Sequence, residues 1–172
     1  PGYMTDREND MTRIAELAES ISTLLKGRGE TVGVSESSSG GLVSAALLAV
    51  PGASAYFMGG MVVYTGAARD AFAQIDLNDH PGVRSSSEPF ASLCANAART
   101  RLSTTWGLAE TGAAGPTGNR YGDDAGHTCI AVTGPSDHTE TLETGKSDRA
   151  ENMELFTEKT LEVFERVLKA SD

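Results

Sequence analysis

The fold is set by the stretch Thr31-Val32-Gly33-Val34-Ser35-Glu36-Ser37-Ser38-Ser39-Gly40-Gly41. It begins with a short apolar run, which is typical of a buried strand, and ends in a glycine-bearing turn rich in hydroxyl groups. The residues that follow, 41–50, include almost no polar side chain, which predicts a helix packed on a sheet. A second glycine-bearing stretch, Thr111-Gly112-Ala113-Ala114-Gly115-Pro116-Thr117-Gly118, follows a strand-like run at 105–110. Because ligands of open α/β sheets bind at the carboxyl ends of strands, we expect a crevice between the two turns to be the binding site.

Strand and helix patterns alternate through the rest of the chain. Apolar residues at helical spacing predict helices over 10–26, 86–102 and 149–170, with a shorter helix-like run at 67–72. Further strands are predicted at 60–64, 128–133 and 139–144, the last two as a hairpin around Gly134-Pro135. The alternation predicts one α/β domain over residues 1–172, a three-layer α/β/α sandwich. The consecutive strands near the C-terminus predict a mixed sheet of about five strands.

The composition limits the partners that this domain can bind. Fourteen basic and 24 acidic residues give a formal net charge of −10. That charge opposes binding to nucleic acid, which relies on Lys and Arg to neutralise phosphates. No apolar run approaches the roughly 20 residues that cross a bilayer, and no secretion signal is recognisable, so we expect a cytoplasmic protein that binds no membrane. Residues 1–3, which precede Met4, are interpreted as a remnant of expression.

The cysteines and acidic turns favour structural roles over metal binding. Cys94 and Cys129 lie in apolar contexts without the spacing of metal ligands, so two buried, reduced thiols are expected. Asp123-Asp124 stands beside glycines and is predicted to form a plain turn. We therefore expect no metal and no cofactor.

The hydroxyl groups of Ser37-Ser38-Ser39 allow two roles. One of them is expected to cap the following helix. A serine here can also be a nucleophile, with the backbone N–H groups near Gly40 and Gly41 stabilising an oxyanion, but it then needs a base. The three histidines carry no surrounding motif, which disfavours a Ser-His-Asp triad: His80, His127 and His138. Tyr64, at the end of a strand, fits a buried strand aromatic and a site residue equally well.

These segments, in this order, resemble the C-terminal domain of the competence/damage-inducible protein CinA, a family that includes stand-alone nicotinamide-nucleotide amidases. The turn at 35–41 resembles the family's Ala-Glu-Ser-Cys-Thr-Gly-Gly, and 111–116 resembles its Thr-Gly-Ile-Ala-Gly-Pro. Three further segments are similar to family motifs: Val50-Pro51-Gly52-Ala53-Ser54, Gly59-Gly60-Met61-Val62-Val63-Tyr64 and Asp148-Arg149. The resemblance covers nearly the whole chain, from about 14 to 167.

The resemblance implies a three-layer α/β/α fold with a mixed sheet and a specific activity. That activity is hydrolysis of the carboxamide of nicotinamide mononucleotide, which gives nicotinate mononucleotide and ammonia. Ser37 matches the nucleophile, and Tyr64 matches a tyrosine that assists proton transfer. The substrate-binding positions carried over are Ser38, Ser39, Gly40, Gly41, Ser54, Thr111, Gly112, Ala113, Gly115 and Arg149. The partner expected is thus a small nucleotide, and a homo-oligomer is left open.

One departure from the family concerns the proton acceptor. The family's Tyr-Ser-Asn-Glu-Ala-Lys stands here as Tyr64-Thr65-Gly66-Ala67-Ala68-Arg69, and no lysine occurs between Lys26 and Lys146. A buried lysine can lose its proton and act as a base, whereas an arginine, with a pKa above about 12, cannot. Arg69 is therefore expected to orient Tyr64 or hold an anion, which leaves Tyr64 as the proton relay. A second departure is the insertion-like segment 119–124, which replaces a Lys-Pro pair of the family.

Three functions remain open at this point. The first is the amidase, in which Ser37 attacks the carboxamide. The second is a catalytically inactive relative that binds a nucleotide or a protein partner, because Arg69 replaces the family's lysine. The third is a hydrolase of another small amide that also uses Ser37.

Overall fold

The computed structural model describes residues 2 and 5–171 of the chain. The strands within them are β1 (Val32–Glu36), β2 (Phe57–Val62), β3 (Trp106–Ala113), β4 (His127–Thr133) and β5 (His138–Glu143). The α-helices are α1 (Asp6–Arg28), α2 (Leu42–Leu48), α3 (Gly66–Ala68), α4 (Glu88–Leu102) and α5 (Arg149–Ala170). A π-helical turn, Arg69–Ala73, follows α3, and 3₁₀ turns cover Ala53–Ala55 and Leu77–Asp79.

The strands form one mixed sheet in the order β2-β1-β3-β4-β5. β1 pairs in parallel with β2 and with β3, whereas β4 is antiparallel to both β3 and β5. The last pairing has to be antiparallel because only residues 134–137 connect β4 to β5, and a parallel crossover needs about a dozen residues or more. The predicted mixed sheet of a three-layer α/β/α sandwich is confirmed.

Helices α1, α2 and α5 cover one face of the sheet, and α4 covers the other. On the first face the Trp106 ring meets Phe164 edge-on, with the ring centroids 6.1 Å apart. Around this pair pack buried aliphatic side chains from both helices and strands: Leu17, Ile21, Leu25, Val32, Val34, Leu108, Ile130 and Leu161. Their removal from water supplies most of the driving force for this layer.

Small residues let α4 approach the sheet closely. A Cβ atom on Gly107 of β3 would lie 2.1 Å from the carbonyl oxygen of Ala95, and one on Gly33 of β1 would lie 2.9 Å from that of Ala98. No side chain fits at these distances, so both strand glycines are required by the close backbone approach. This is the physical reason for glycine inside two buried strands.

Two strand boundaries differ from the sequence-based expectation. β3 continues through Ala113 because Thr111 and Gly112 pair with β4, so the start of the second glycine-bearing stretch belongs to a strand and not to a loop. β2 begins at Phe57, ahead of the predicted position 60, because Gly59 and Gly60 still pair with β1. In both cases pairing with a neighbouring strand overrides the local pattern.

The first helix begins earlier than its apolar pattern predicts. Thr5 and Glu8 form a capping box, in which Thr5 Oγ1 accepts the Glu8 N–H and the Glu8 carboxylate accepts the Thr5 N–H at 2.8 Å. Of the predicted expression remnant, Pro1 and Tyr3 lie outside the described residues. No helix among the described residues combines the length and apolarity that a membrane span requires.

Candidate active site

The carboxyl ends of β1, β2 and β3 open into a cavity of about 280 Å³. These strands are parallel to one another, so their carboxyl ends meet at the same edge of the sheet. The lining residues come from the turn after β1, the segment after β2, the segment before α4 and the end of β3: Ser37, Val63, Tyr64, Thr65, Gly66, Arg69, Ser85, Ser86, Phe90, Thr111 and Gly112. The cavity therefore brings together five predicted site residues, including Ser37, Tyr64 and Arg69.

Ser37 presents an unengaged hydroxyl group to this cavity. Its backbone N–H donates to Glu110 Oε1 at 3.0 Å, which fixes the main chain from below. Within the described part of the chain, no group hydrogen-bonds to Ser37 Oγ, and the residue is only half-buried. A serine side chain in this position is free to react with a bound molecule.

The prediction that one of the three serines caps α2 is wrong. The helix begins after Gly41 without a side-chain cap of that kind. Instead, the buried carboxylate of Glu36 accepts the N–H groups of Gly41, Val43 and Ser44 at 3.1, 2.9 and 2.9 Å. Two carboxylate oxygens satisfy more N–H donors than one hydroxyl group, and a negative charge is favoured at a helix N-terminus.

The assignment of an oxyanion hole to the N–H groups of Gly40 and Gly41 is also wrong. The Gly40 N–H donates to the carbonyl oxygen of Ser37 at 3.1 Å, and the Gly41 N–H is bound to Glu36. In the turn 37–41, the N–H of Ser38 alone lacks an acceptor among the described residues. That group directly follows the candidate nucleophile, as the oxyanion donor does in other strand-to-helix serine turns.

The other two serines hold the turn in place. Ser38 Oγ donates to the carbonyl oxygen of Gly112 at 2.6 Å and so ties the turn to the end of β3. Ser39 is fully buried, and its hydroxyl oxygen lies 2.7 Å from Glu36 Oε1 and 2.8 Å from Glu110 Oε1. Both predicted binding residues thus hydrogen-bond within the protein.

Glu110 is a residue of this region that the sequence reasoning missed. It lies in β3, is 2 % exposed and accepts hydrogen bonds from the Ser37 N–H, the Ser39 N–H and Thr128 Oγ1. Burial raises the pKa of its carboxyl group, and the hydrogen bonds it accepts lower that pKa by less. The available signal was an acidic residue inside the otherwise uncharged strand Trp106–Ala113.

Tyr64 is bound by an arginine from the far end of the chain. The guanidinium of Arg149, at the start of α5, donates to the phenol oxygen at 2.9 Å and also to the carbonyl oxygen of Gly115 at 2.5 Å. The same guanidinium lies 6.0 Å from the centre of the Tyr64 ring. This charged donor holds the exposed phenol at the cavity mouth and stabilises negative charge on its oxygen.

Arg69 lines the cavity, and its one ion-pair partner among the described residues is its neighbour Asp70. Its guanidinium lies 3.4 Å from Asp70 Oδ1, and the Asp70 side chain is largely exposed. Such a surface ion pair is worth about 1 kcal/mol or less, so a bound anion can replace Asp70. The residues that line the cavity include one phenol and one guanidinium group, those of Tyr64 and Arg69, and no lysine, histidine or carboxylate.

Of the ten predicted binding residues, Thr111 and Gly112 line the cavity, and Ser54, Ala113 and Gly115 are among those that do not. Ser54 is exposed in the 3₁₀ turn before β2, so the length of that strand separates it from Tyr64. Ala113 ends β3, and Gly115 contributes its carbonyl oxygen to Arg149 and not to the cavity. The structure does not bring Ser54 together with Ser37.

A buried histidine supports the cavity wall at Ser86. Ser86 has a φ of +57°, and its N–H donates to Thr111 Oγ1 at 3.3 Å. His127 Nε2 bonds to the Ser86 carbonyl oxygen at 2.8 Å, and its Nδ1 bonds to Glu143 at 2.5 Å. Burial lowers the pKa of His127, but the bonds to Glu143 and Ser86 and the charge of Asp123 raise it on balance. His127 therefore braces the wall, and no hydrogen bond among the described residues joins it to Ser37.

Comparison with protein families identifies relatives over most of the chain. The family model for the CinA C-terminal domain matches residues 14–168. A CinA-like protein of Prochlorococcus marinus (strain MIT 9313) is 43% identical over 122 residues, which is 69% of this chain and 28% of that protein. A CinA-like protein of Nostoc sp. (strain PCC 7120) is 36% identical over 125 residues, 73% of this chain and 30% of that protein. The chain thus spans less than a third of the length of these curated relatives.

Solved structures show the same fold. The competence/damage-inducible protein CihA from Agrobacterium tumefaciens is 27% identical, with a TM-score of 0.83 over 91% of this chain and 96% of that one. A CinA superfamily protein from Enterobacter cloacae is 24% identical, with a TM-score of 0.84 over 90% of this chain and 92% of that one. Together with the family model, these likenesses show that the chain belongs to the CinA C-terminal domain family.

Proposed function

We propose that the chain is an amidohydrolase that converts nicotinamide mononucleotide to nicotinate mononucleotide and ammonia. The observation that carries the proposal is the unengaged Ser37 hydroxyl group in the same cavity as Tyr64, whose phenol oxygen is bound by Arg149. A nucleophile and a proton-carrying group at one cavity are what acyl transfer requires. The substrate follows from the resemblance to nicotinamide-nucleotide amidases.

The size and charge of the cavity suit a mononucleotide. Its volume of about 280 Å³ is close to the lower limit of roughly 300 Å³ for small-molecule sites, so a dinucleotide is too large to be enclosed. Arg69 on the wall and Arg149 at the mouth supply positive charge to a domain whose formal net charge is −10. Their guanidinium groups can donate charge-assisted hydrogen bonds to the phosphate group of a mononucleotide.

The reaction would proceed through an acyl-serine. Ser37 Oγ forms a bond to the carboxamide carbon while its proton passes by way of Tyr64 to the amide nitrogen, which leaves as ammonia. Water then cleaves the acyl-serine, releasing the carboxylate and restoring the Ser37 hydroxyl group. The Ser38 N–H would hold the oxyanion in both steps.

The test is the release of ammonia from nicotinamide mononucleotide. Replacing Ser37→Ala should lower the rate by about 10³-fold or more, because it removes the hydroxyl group that forms the acyl intermediate. Ser136→Ala is the matched control, since Ser136 is exposed between β4 and β5 and does not line the cavity. Activity that survives in Ser37→Ala would overturn the mechanism.

The second candidate is a catalytically inactive relative that binds the nucleotide. The favouring observation is that the cavity wall carries Arg69 in place of the family's lysine and offers no histidine or carboxylate. Calorimetry with nicotinamide mononucleotide separates the two functions, because binding without ammonia release identifies the inactive relative. A hydrolase of another small amide would instead release ammonia from other members of an amide panel.

A further inference from the structure

Two buried glutamates lie side by side beneath the candidate nucleophile. The register pairs Ser35 of β1 with Ala109 of β3, so the next residues along, Glu36 and Glu110, are neighbours on adjacent strands. Their exposures are 1 % and 2 %. Two neighbouring carboxylates that are both buried away from water repel each other strongly unless one of them is neutral.

The Ser39 hydroxyl group lies between the two carboxyl groups. Ser39 Oγ lies 2.7 Å from Glu36 Oε1 and 2.8 Å from Glu110 Oε1, both hydrogen-bond distances. The hydroxyl group has one hydrogen, so it either divides that hydrogen between the two oxygens or donates to one and accepts from the other. Repulsion between two buried carboxylates favours the second arrangement, in which the Glu110 carboxyl group holds a proton.

The surroundings favour this neutralisation. The titratable groups that face Glu110 are Glu36 on β1 and, through the sheet, the Cys94 thiol on α4. Thr128 on β4 and Ser39 contribute hydroxyl groups without charge. No lysine, arginine or histidine among the described residues forms an ion pair or a hydrogen bond with Glu110. Burial without a cation raises the pKa of Glu110.

The cluster holds the main chain of the Ser37 turn from below. Glu110 Oε1 accepts the N–H groups of Ser37 and Ser39 at 3.0 and 2.8 Å, and Glu36 accepts those of Gly41, Val43 and Ser44. The position of Ser37 relative to the cavity therefore depends on the two carboxyl groups. If both carboxyl groups were ionised, their repulsion would be relieved by moving them apart. The attached turn would move with them.

We propose that Glu110 is a positioning residue for Ser37 and that it shares one proton with Glu36 through the Ser39 hydroxyl group. The positioning role rests on the proposed function, whereas the shared proton does not. Loss of the proton at high pH releases the turn. The protonation state of this pair is then a pH-dependent control on the nucleophile.

The shared proton is tested by nuclear magnetic resonance of the backbone N–H groups, without any substrate. As the pH is raised above the ordinary range for glutamate, the Ser37 and Ser39 signals should shift in one common step with those of Gly41 and Ser44. Glu110→Gln keeps an oxygen for the two N–H groups but cannot ionise, so the step should vanish. Glu30→Gln, at the opposite end of β1, is the matched control and should keep it. Absence of the step in the wild type, or its persistence in Glu110→Gln, would overturn the proposal.

The positioning role is tested by the pH profile of ammonia release. The wild-type rate should fall along the same step that the N–H signals report, and the Glu110→Gln rate should lack this fall. A fall that is unchanged in Glu110→Gln would contradict the positioning role. A wild type that releases no ammonia at any pH contradicts the proposed function alone, because the N–H signals still decide whether the proton is shared.

Discussion

Tyr64 and Arg149 are 85 residues apart in sequence, yet the guanidinium donates to the phenol oxygen at 2.9 Å. Both residues match family positions. The resemblance predicts that Arg149 binds the substrate, and Arg69 is the residue expected to orient Tyr64 or hold an anion. In the structure, Arg149 supports Tyr64, while Arg69 faces the cavity beside Asp70. The two arginines therefore have different expected effects on catalysis.

Removing the charge of Arg149 should weaken the proton relay. In Arg149→Gln, the phenol oxygen loses a charge-assisted hydrogen bond worth about 1.5–3 kcal/mol, so kcat for nicotinamide mononucleotide should fall about 10-fold or more. Arg166→Gln is the matched control, because Arg166 lies on the same helix but pairs with Glu140; this change should leave kcat unchanged. Steady-state kinetics of ammonia release makes the comparison, and equal kcat values for Arg149→Gln and the wild type would contradict it.

Restoring the family's lysine should increase hydrolysis. A lysine amine can accept the Ser37 proton, and a positioned general base contributes about 10²–10⁴-fold, so Arg69→Lys should raise kcat at least about 10-fold. Arg101→Lys, on the exposed side of α4, is the matched control. A kcat in Arg69→Lys at or below that of the wild type would show that the base is not what limits the rate.

At the scale of elements, two contacts fix the layers around the sheet. α4 lies on β1 and β3 where Gly33 and Gly107 leave no room for a side chain. The segment before α4 is held at Ser86 by Thr111 of β3 and His127 of β4. Each contact joins a strand to the α4 layer, and each is open to a separate measurement.

Gly107→Ala should destabilise the domain strongly. The new Cβ would lie 2.1 Å from the Ala95 carbonyl oxygen, so α4 or β3 must shift, at a cost of about 3 kcal/mol in the free energy of unfolding. Gly27→Ala on α1 has nothing within 4 Å of its new Cβ and should stabilise the helix by about 1 kcal/mol. Urea unfolding compares the variants, and two changes of the same sign would contradict the close-packing argument.

His127 should make stability fall as pH rises. Its folded-state pKa is raised, so its contribution is complete below the unfolded pKa of about 6.5 and is lost as pH rises through the folded value. The difference in the free energy of unfolding between the wild type and His127→Gln should therefore shrink with rising pH, from about 1 kcal/mol at its acidic limit. Urea titrations at a series of pH values measure the difference. A constant difference would contradict the charged bridge between Ser86 and Glu143.

At the scale of the whole molecule, the core layer between the sheet and α4 encloses both thiols. Cys94 and Cys129 are unpaired and buried, in agreement with the sequence-based expectation. Burial raises the pKa of Cys94 to about 12 and also raises that of Cys129. The thiolate is the reactive form, so neither group reacts readily while the domain is folded.

Labelling with a thiol reagent should therefore report unfolding of the entire domain. At neutral pH without denaturant, both cysteines should react far more slowly than in urea, and their rates should rise together across the unfolding transition. Mass spectrometry of the labelled protein counts the modified thiols. Rapid labelling of one thiol in the native state would show a local opening of the α4 layer.

The sequence predicted most of the fold because its signals are local. The apolar pattern of α5 gives that helix its observed ends, Arg149 and Ala170, and the apolar start of β1 leads into the turn that holds Ser37. Strand ends were predicted less well at β2 and β3, where Gly59 and Gly112 look like turn residues but pair with neighbouring strands. Residue type cannot show that a neighbour is present to pair with.

For the candidate site, the sequence by itself predicted a place at the strand ends, and five of the predicted residues line one cavity there. The turn 35–41, the tyrosine after β2 and the replacement of lysine by Arg69 are all readable from residue order, because motifs and strand ends are local features. Only the tertiary structure decided which groups are free to act. In the structure, the N–H groups of Gly40 and Gly41 donate to acceptors within the protein. Arg149 donates to the Tyr64 phenol oxygen, and Glu110 accepts the Ser37 N–H. The partners Glu110 and Arg149 come from strands and helices far apart in the chain, and local pattern does not show which distant groups the fold brings together.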